Sequence, residues 1–178
     1  MKHAALLRAI NVSGRNKLPM KDLAAMFVTA GCRDVVTYIQ SGNVVFNAPA
    51  AVLKKLPQAI AQHIADDFGH KVPVVVRSHE QLAALVRENP FLKAGEPEKA
   101  LYVAFLADLP GAEAIAKLDP QRSPPDRFFV AGQHIYLHLP NGAGESKLTN
   151  AWMDSKLSTI STARNWNTVL KLYEMTKP

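Results

Sequence analysis

Three short stretches of this chain hold the residue types that could do chemistry. Arg8-Ala-Ile-Asn-Val-Ser-Gly-Arg-Asn-Lys17 brings together three cations, two side-chain amides, a serine and a glycine. Gln40-Ser-Gly-Asn43 adds two more amides, a hydroxyl and a second glycine. Asn141-Gly-Ala-Gly-Glu-Ser-Lys147 is a glycine-containing loop that ends on a serine and a lysine. The chemistry these groups share is anion recognition, because ammonium, guanidinium, amide and hydroxyl groups all donate hydrogen bonds. Gly14 and Gly42 permit close backbone approach.

Catalytic arrangements are harder to find. No two acids stand at a spacing that suggests acid–base work: Glu145 and Asp154 flank the third loop, but positions i and i+9 on a helix do not converge. His134 and His138 fall on one face of a strand with Tyr136 between them, at a spacing of roughly 13 Å that is too long to share one metal. That face reads as exposed and polar. His63, His70 and His79 lack ligand spacing, and no G-x-S-x-G surrounds Ser41. Adjacent Ser146 and Lys147 point about 100° apart on a helix, which argues against a Ser–Lys dyad. The third loop matches neither a P-loop nor a dinucleotide fingerprint.

The elements that must position these groups follow from periodicity. Ala4–Ile10 is an apolar run of strand length. A helix follows, with Pro19 in its first turn and Leu23, Met26, Phe27 and Ala30 at helical spacing. Val35–Ile39 and Val44–Phe46 read as strands joined by the tight turn Gln40–Asn43. A second helical stretch opens at Pro49, is divided or kinked at Pro57, and ends at Gly69. Val72–Arg77 is the next strand, and Ser78-His-Glu-Gln81 reads as a capping box. The order β-α-β-β-α-β is the split βαβ, or ferredoxin-like, plan.

A second series repeats it. Ala100–Leu106 is a strand, Pro110–Leu118 a short helix, and Phe128–Ala131 with His134–Leu139 a hairpin around Gly132-Gln133. Ser146–Leu157 reads as a helix, Thr159–Thr162 as a short β-branched stretch and Trp166–Met175 as a terminal amphipathic helix. The expected fold is α+β, with duplicated ferredoxin-like units at 1–90 and 91–178, the second carrying the C-terminal helix. The two units are expected to associate tightly, with one compact domain as the alternative.

This topology has a consequence for the polar loops. Strands 1 and 2 run the same way because a helix returns the chain between them, and strand 3 pairs beside strand 1. Residues 11–17 are therefore expected close to 40–43 at one sheet end, with Arg8 and Tyr38 near the mouths of their strands. The first loop also leads into a helix N-terminus, where free N–H groups and the dipole favour anions. In the second series Ser146 and Lys147 are expected near Thr162, Arg164 and Asn165. Helix capping by Ser146 and Asn165 would account for the same residues more simply. The sequence leaves open whether the two clusters form one site.

Composition sets the frame. Of 178 residues 48% are hydrophobic and 20% charged, ordinary for a globular chain. No apolar run approaches the roughly 20 residues needed to cross a bilayer, and no export signal is visible. The expectation is a cytoplasmic protein with no membrane partner. The lone Cys32 excludes a disulfide framework and reads as a small buried hydrophobe. The formal charge of +6 is uneven: residues 1–90 carry 11 Lys/Arg against 6 Asp/Glu, and Lys2, Arg8, Arg15, Lys17 and Lys21 precede the first acid. Such a field favours anionic ligands.

Arg8-Ala-Ile-Asn-Val-Ser-Gly14, Asn16-Lys-Leu-Pro-Met20 and Tyr38-Ile-Gln-Ser-Gly-Asn-Val-Val-Phe46 closely resemble the signature of the bacterial domain-of-unknown-function 1697 (DUF1697) family. Ser146-Lys-Leu-Thr-Asn150 and Thr162-Ala-Arg-Asn-Trp-Asn-Thr-Val169 resemble its C-terminal signature. Ser13 departs from the glycine the family more often has. The resemblance spans the whole chain and implies a duplicated ferredoxin-like fold in a cytosolic bacterial protein, with no established activity. Its polar positions fall on Arg8, Asn11, Gly14, Asn16, Lys17, Tyr38, Gln40, Ser41, Gly42 and Asn43. In the second half they fall on Ser146, Lys147, Arg164, Asn165 and Thr168.

Two functions are carried forward. The first is binding of a small phosphate- or carboxylate-bearing ligand, by an enzyme or a binding protein, with Arg8, Lys17 and Lys147 or Arg164 as clamps and Asn11, Gln40, Ser41 and Asn43 as orienting groups. The alternative is a nucleic-acid-binding module using an open sheet face; against it, the candidate strands Ala4–Ile10 and Val44–Phe46 are nearly all aliphatic, without the aromatic pattern on which RNA readers stack bases. No residue pattern names a cofactor or an oligomeric state.

Overall fold

A computed structural model describes residues 1–178. Contacts divide the chain into two units, Met1–Ala83 with Leu172–Pro178, and Ala84–Lys171.

In the first unit the apolar run Lys2–Leu7 forms β1, and Met20–Thr29 forms α1 with Leu23, Met26 and Phe27 buried at helical spacing. Arg33–Tyr38 is β2 and Asn43–Asn47 is β3. The proline-containing stretch separates into α2 (Ala50–Leu53) and α3 (Leu56–Phe68). Pro57 lies in the first turn of α3, where a missing N–H costs nothing, so the proline starts a helix instead of kinking one. Strand β4 covers Val74–Ser78, and α4 (His79–Glu88) begins on the expected capping box: Gln81 N donates to Ser78 Oγ (3.2 Å) and Ser78 N to Gln81 Oε1 (2.9 Å).

The sheet order is β2-β3-β1-β4, every neighbouring pair antiparallel. Ala5, Leu7, Val44, Phe46 and Val74 project from it onto Phe27, Ile60 and Ile64. The Phe27 and Phe46 rings lie 5.2 Å apart, a pair worth about 0.5–1.5 kcal/mol beyond its area. Cys32, just before β2, is buried in this core as a small hydrophobe, and burial pushes its thiol up to about 11.

The second unit holds the end of α4, α5 (Pro90–Lys93), a 3-10 turn at Glu98–Ala100 and β5 (Leu101–Leu106). After α6 (Ala112–Ile115) come β6 (Arg127–Ala131) and β7 (His134–His138), joined by the two-residue turn Gly132-Gln133. Then follow α7 (Asn150–Leu157), β8 (Ser161–Asn165) and α8 (Trp166–Thr176), whose C-terminal end is counted with the first unit. The sheet order β6-β7-β5-β8 has the same pattern as the first sheet, and again every neighbouring pair is antiparallel.

Three local readings need correction. Helix α7 begins at Asn150, not at Ser146, because Thr149 is the residue that caps it, its Oγ1 accepting from Trp152 N at 3.2 Å. Ser146 Oγ instead accepts from Leu148 N (3.0 Å), a local turn. The His134–His138 face is not exposed: Tyr136 and His138 are buried, the Tyr136 hydroxyl donates to Leu85 O at 2.8 Å, and burial pushes the phenol up to about 12.

Burial also bears on the open-sheet idea. Along β1, Ala4 and Leu6 are as buried as Ala5 and Leu7, so both faces of this central strand are covered. In β5 the same holds for Val103 and Phe105 beside Ala104 and Leu106. Neither central strand offers a face on which bases could stack.

Candidate site at the β1 and β2 ends

Chain direction brings the first two polar stretches together. Leu6 stands opposite Asn43 in the β1–β3 ladder, and beyond that pair Leu7 N donates to Gly42 O at 2.8 Å. Gly42 has φ +81, and a Cβ there would lie 2.7 Å from Ile10 Cδ1 and 2.8 Å from Leu7 Cβ. Only glycine allows this approach. The buried Ile10 is thereby wedged under the turn that follows β2.

Asn11 fastens the two segments. Its Nδ2 donates to Leu18 O (2.9 Å) and Gln40 O (2.8 Å), and its Oδ1 accepts from Leu18 N (2.8 Å). Asn16 closes the loop on itself: its Nδ2 donates to Ala9 O (2.9 Å), while Asn11 N donates to Asn16 O (3.1 Å). Arg15 N reaches Val12 O at 2.9 Å. The loop between β1 and α1 is thus cross-braced by its own amides.

The backbone is unusual here. Ala9, Asn11, Ser13 and Asn16 have φ between 48 and 55, and Gly14 has φ 75. Ile39, in the turn after β2, has φ 50 although it is β-branched, and its side chain is 51% exposed. A left-handed β-branched residue costs of order 1–3 kcal/mol and persists only where its surroundings impose it. Ile39 immediately precedes Gln40, whose carbonyl accepts from Asn11.

The side chains expected to orient a ligand therefore divide. Asn43 is 0% exposed and its Nδ2 donates to Tyr38 O (3.2 Å) and Ser41 Oγ (3.1 Å), so it holds the turn from within. Asn11 and Asn16 are likewise committed to main-chain carbonyls. Gln40, Gly14, Arg15 and Lys17 are exposed; Arg8, Tyr38 and Ser41 are half-buried. Arg15 and Lys17 take part in no ion pair. His70 Nε2 donates to Lys17 O (3.1 Å), which fixes the main chain beneath the lysine side chain. The α1 N-terminus is a weaker anion point than expected, since Asp22 already occupies its first turn.

The second cluster is arranged differently. Lys147 is exposed and precedes α7, its N–H donating to Ser123 Oγ at 3.0 Å. Asn165 caps α8, Oδ1 accepting from Thr168 N at 2.9 Å, which leaves Thr168 buried in the first turn. Arg164 is buried; its Nη1 donates to Thr162 Oγ1 (2.9 Å) and Ala163 O (2.9 Å), and desolvation pulls its guanidinium down to about 10. The structure thus gives Asn165 and Arg164 structural partners within their own strand and helix.

One network escaped the sequence reading. In the second unit Glu96 accepts from both Arg127 Nη2 and His138 Nε2 (3.2 Å to the latter), and Arg127 Nη2 also donates to His138 Nδ1 at 3.3 Å. The Phe91 ring stacks on His138 (5.7 Å) and lies under the Arg127 guanidinium (5.3 Å). Glu96 is 31 residues from Arg127 in sequence, and no spacing rule links them.

A family profile described as "Protein of unknown function (DUF1697)" matches residues 1–136. Among solved structures, a conserved bacterial protein from Streptococcus pneumoniae is similar at a TM-score of 0.67 and 21% identity, over 99% of this chain and 98% of that one. At that identity the likeness speaks for the fold. No curated protein matches the chain.

Proposed function

The chain belongs to the DUF1697 family of proteins of unknown function, and we propose from its own residues that it binds a small phosphate- or carboxylate-bearing ligand at the β1 and β2 ends. The observation that carries this reading is the Asn11–Gln40 bond. It holds the loop after β1 and the turn after β2 in one rigid frame, while Arg15 and Lys17 extend from that frame without acidic partners. Positive φ at Ala9, Asn11 and Ser13, with Ile10 and Val12 between them outside that region, is the alternation from which backbone anion nests are built. Asn11, Asn16, Gly42 and Asn43 act as the frame, and Arg8, Gly14, Arg15, Lys17, Tyr38, Gln40 and Ser41 face the ligand.

In this reading Ser146, Lys147, Arg164, Asn165 and Thr168 belong to the second unit's own strand and helix ends, with Lys147 the exposed cation among them. The repeated strand order β2-β3-β1-β4 and β6-β7-β5-β8 supports taking each half, 1–90 and 91–178, as a ferredoxin-like unit. No helix is long and apolar enough to cross a membrane, in keeping with a cytoplasmic bacterial protein. A nucleic-acid partner would have to use the basic loops alone, because the central strands are covered.

The test is a thermal-shift screen of nucleotides, phosphorylated metabolites and dicarboxylates. The reading requires at least one anion to raise Tm in a saturable way, and requires that rise to vanish in Arg15→Ala/Lys17→Ala. A shift that survives the double substitution would remove the site from these loops.

A further inference from the structure

We propose that the β6 edge of the second unit is a docking surface for a second copy of this chain, the two β6 strands pairing antiparallel about Phe129. Strands β2 and β6 hold equivalent edge positions in their sheets, yet only β2 is broken by an irregularity. β2 is interrupted by a register shift between Arg33 and Val36, with Asp34 at φ 51, the kind of irregularity that blunts an edge. β6 pairs with β7 without a break from Arg127 to Ala131 and contains no proline or lysine. It also presents Phe129 at 53% exposure.

The hairpin geometry fixes which groups β6 offers. A two-residue turn makes Ala131 and His134 a hydrogen-bonded pair, so Arg127, Phe129 and Ala131 bond inward to β7. Consistent with this, Gln133 O and Leu139 N, which flank β7, bond to the opposite side, Gln133 O accepting from Leu106 N and Leu139 N donating to Ala100 O. The main-chain groups of Phe128 and Val130 therefore point out from the edge. An antiparallel copy satisfies them in one register: Phe128 pairs with the other chain's Val130 and Val130 with its Phe128. That register places the two Phe129 residues directly opposite each other.

Charge permits the same arrangement. Arg127 is the only charged residue of β6, it is held by Glu96 and His138, and in this register it faces Ala131 of the other chain instead of its own copy. Beside Phe129 lies a groove of about 300 Å³ walled by Pro90, Phe91, Pro120 and Phe128, which leaves space for the apposed ring. The interface is a single strand pair with one aromatic contact, so the association is concentration-dependent.

The experiment is sedimentation equilibrium on the full chain from micromolar to low-millimolar concentration, with Phe129→Lys and Phe129→Cys beside wild type. Wild type is expected to move toward twice the monomer mass, and Phe129→Lys, which sets two ammonium groups face to face, to stay monomeric. Phe129→Cys is expected to form a disulfide-linked dimer on mild oxidation, since directly opposed residues come within bridging distance and the buried Cys32 does not compete. Monomer mass throughout for wild type, or a dimer unaffected by Phe129→Lys, overturns the proposal. If Phe129→Lys does not fold, the Phe129→Cys cross-link decides, and its absence is equally decisive.

Discussion

The Asn11 amide donates to the main-chain carbonyl of Gln40 at 2.8 Å, joining two loops that are 29 residues apart in sequence. The same side chain satisfies both polar groups of Leu18. Asn11→Ala would leave several of these groups without partners. A loss of about 1–3 kcal/mol is expected, read as a lower urea midpoint with unchanged m-value. Asn43→Ala, which empties a fully buried amide position, should cost a similar amount.

The glycines separate strain from crowding. Gly14 at φ +75 has nothing within 4 Å of a built Cβ, whereas Gly42 at φ +81 has Ile10 and Leu7 atoms inside 3 Å. Gly14→Ala should cost only the left-handed penalty, about 1 kcal/mol. Gly42→Ala adds an overpacking term of about 1–3 kcal/mol, so the Tm of the second variant should fall well below that of the first.

Placement of these loops was legible in the sequence because it follows from chain direction: a helix between strands 1 and 2 makes them parallel, and their exits must share an end. What each polar side chain does there was not legible. Asparagine is equally suited to bind a ligand or a neighbouring carbonyl, and only coordinates distinguish the exposed Gln40 from the buried Asn43. The strain at Ile39 leaves no trace in residue type, since β-branched residues disfavour that conformation. The start of α7 was misplaced because Ser146 and Thr149 are both good caps three residues apart. The His138 face was misjudged because alternation marks a strand's two faces without showing what covers the polar one.

The α7 boundary gives its own test. Thr149→Ala removes the hydroxyl that accepts from Trp152 N and should cost about 1 kcal/mol. Ser146→Ala lies outside the helix and should cost less. Equal losses in thermal or urea unfolding would put the cap back at Ser146.

Cys32 supplies a pH dependence. Burial raises its thiol from 9.0 to about 11, so between those values the folded chain keeps a proton that the unfolded chain has lost. The unfolded state then binds fewer protons, and stability from this group falls as pH rises through the window. Urea titrations from pH 8 to 11 should show wild type losing stability faster than Cys32→Ala, the difference closing toward pH 8.

An anion held between the two loops of the first unit must perturb the amides around it, and titrating ¹⁵N-labelled protein with inorganic phosphate while recording amide spectra reads that perturbation. Saturable shifts are expected for amides within 11–17 and 39–43, and they should be absent in Arg15→Ala/Lys17→Ala, whose unliganded Tm stays near wild type because both side chains are exposed. Shifts that are linear in phosphate, scattered over the surface, or unchanged in the double variant would contradict an anion site between these loops.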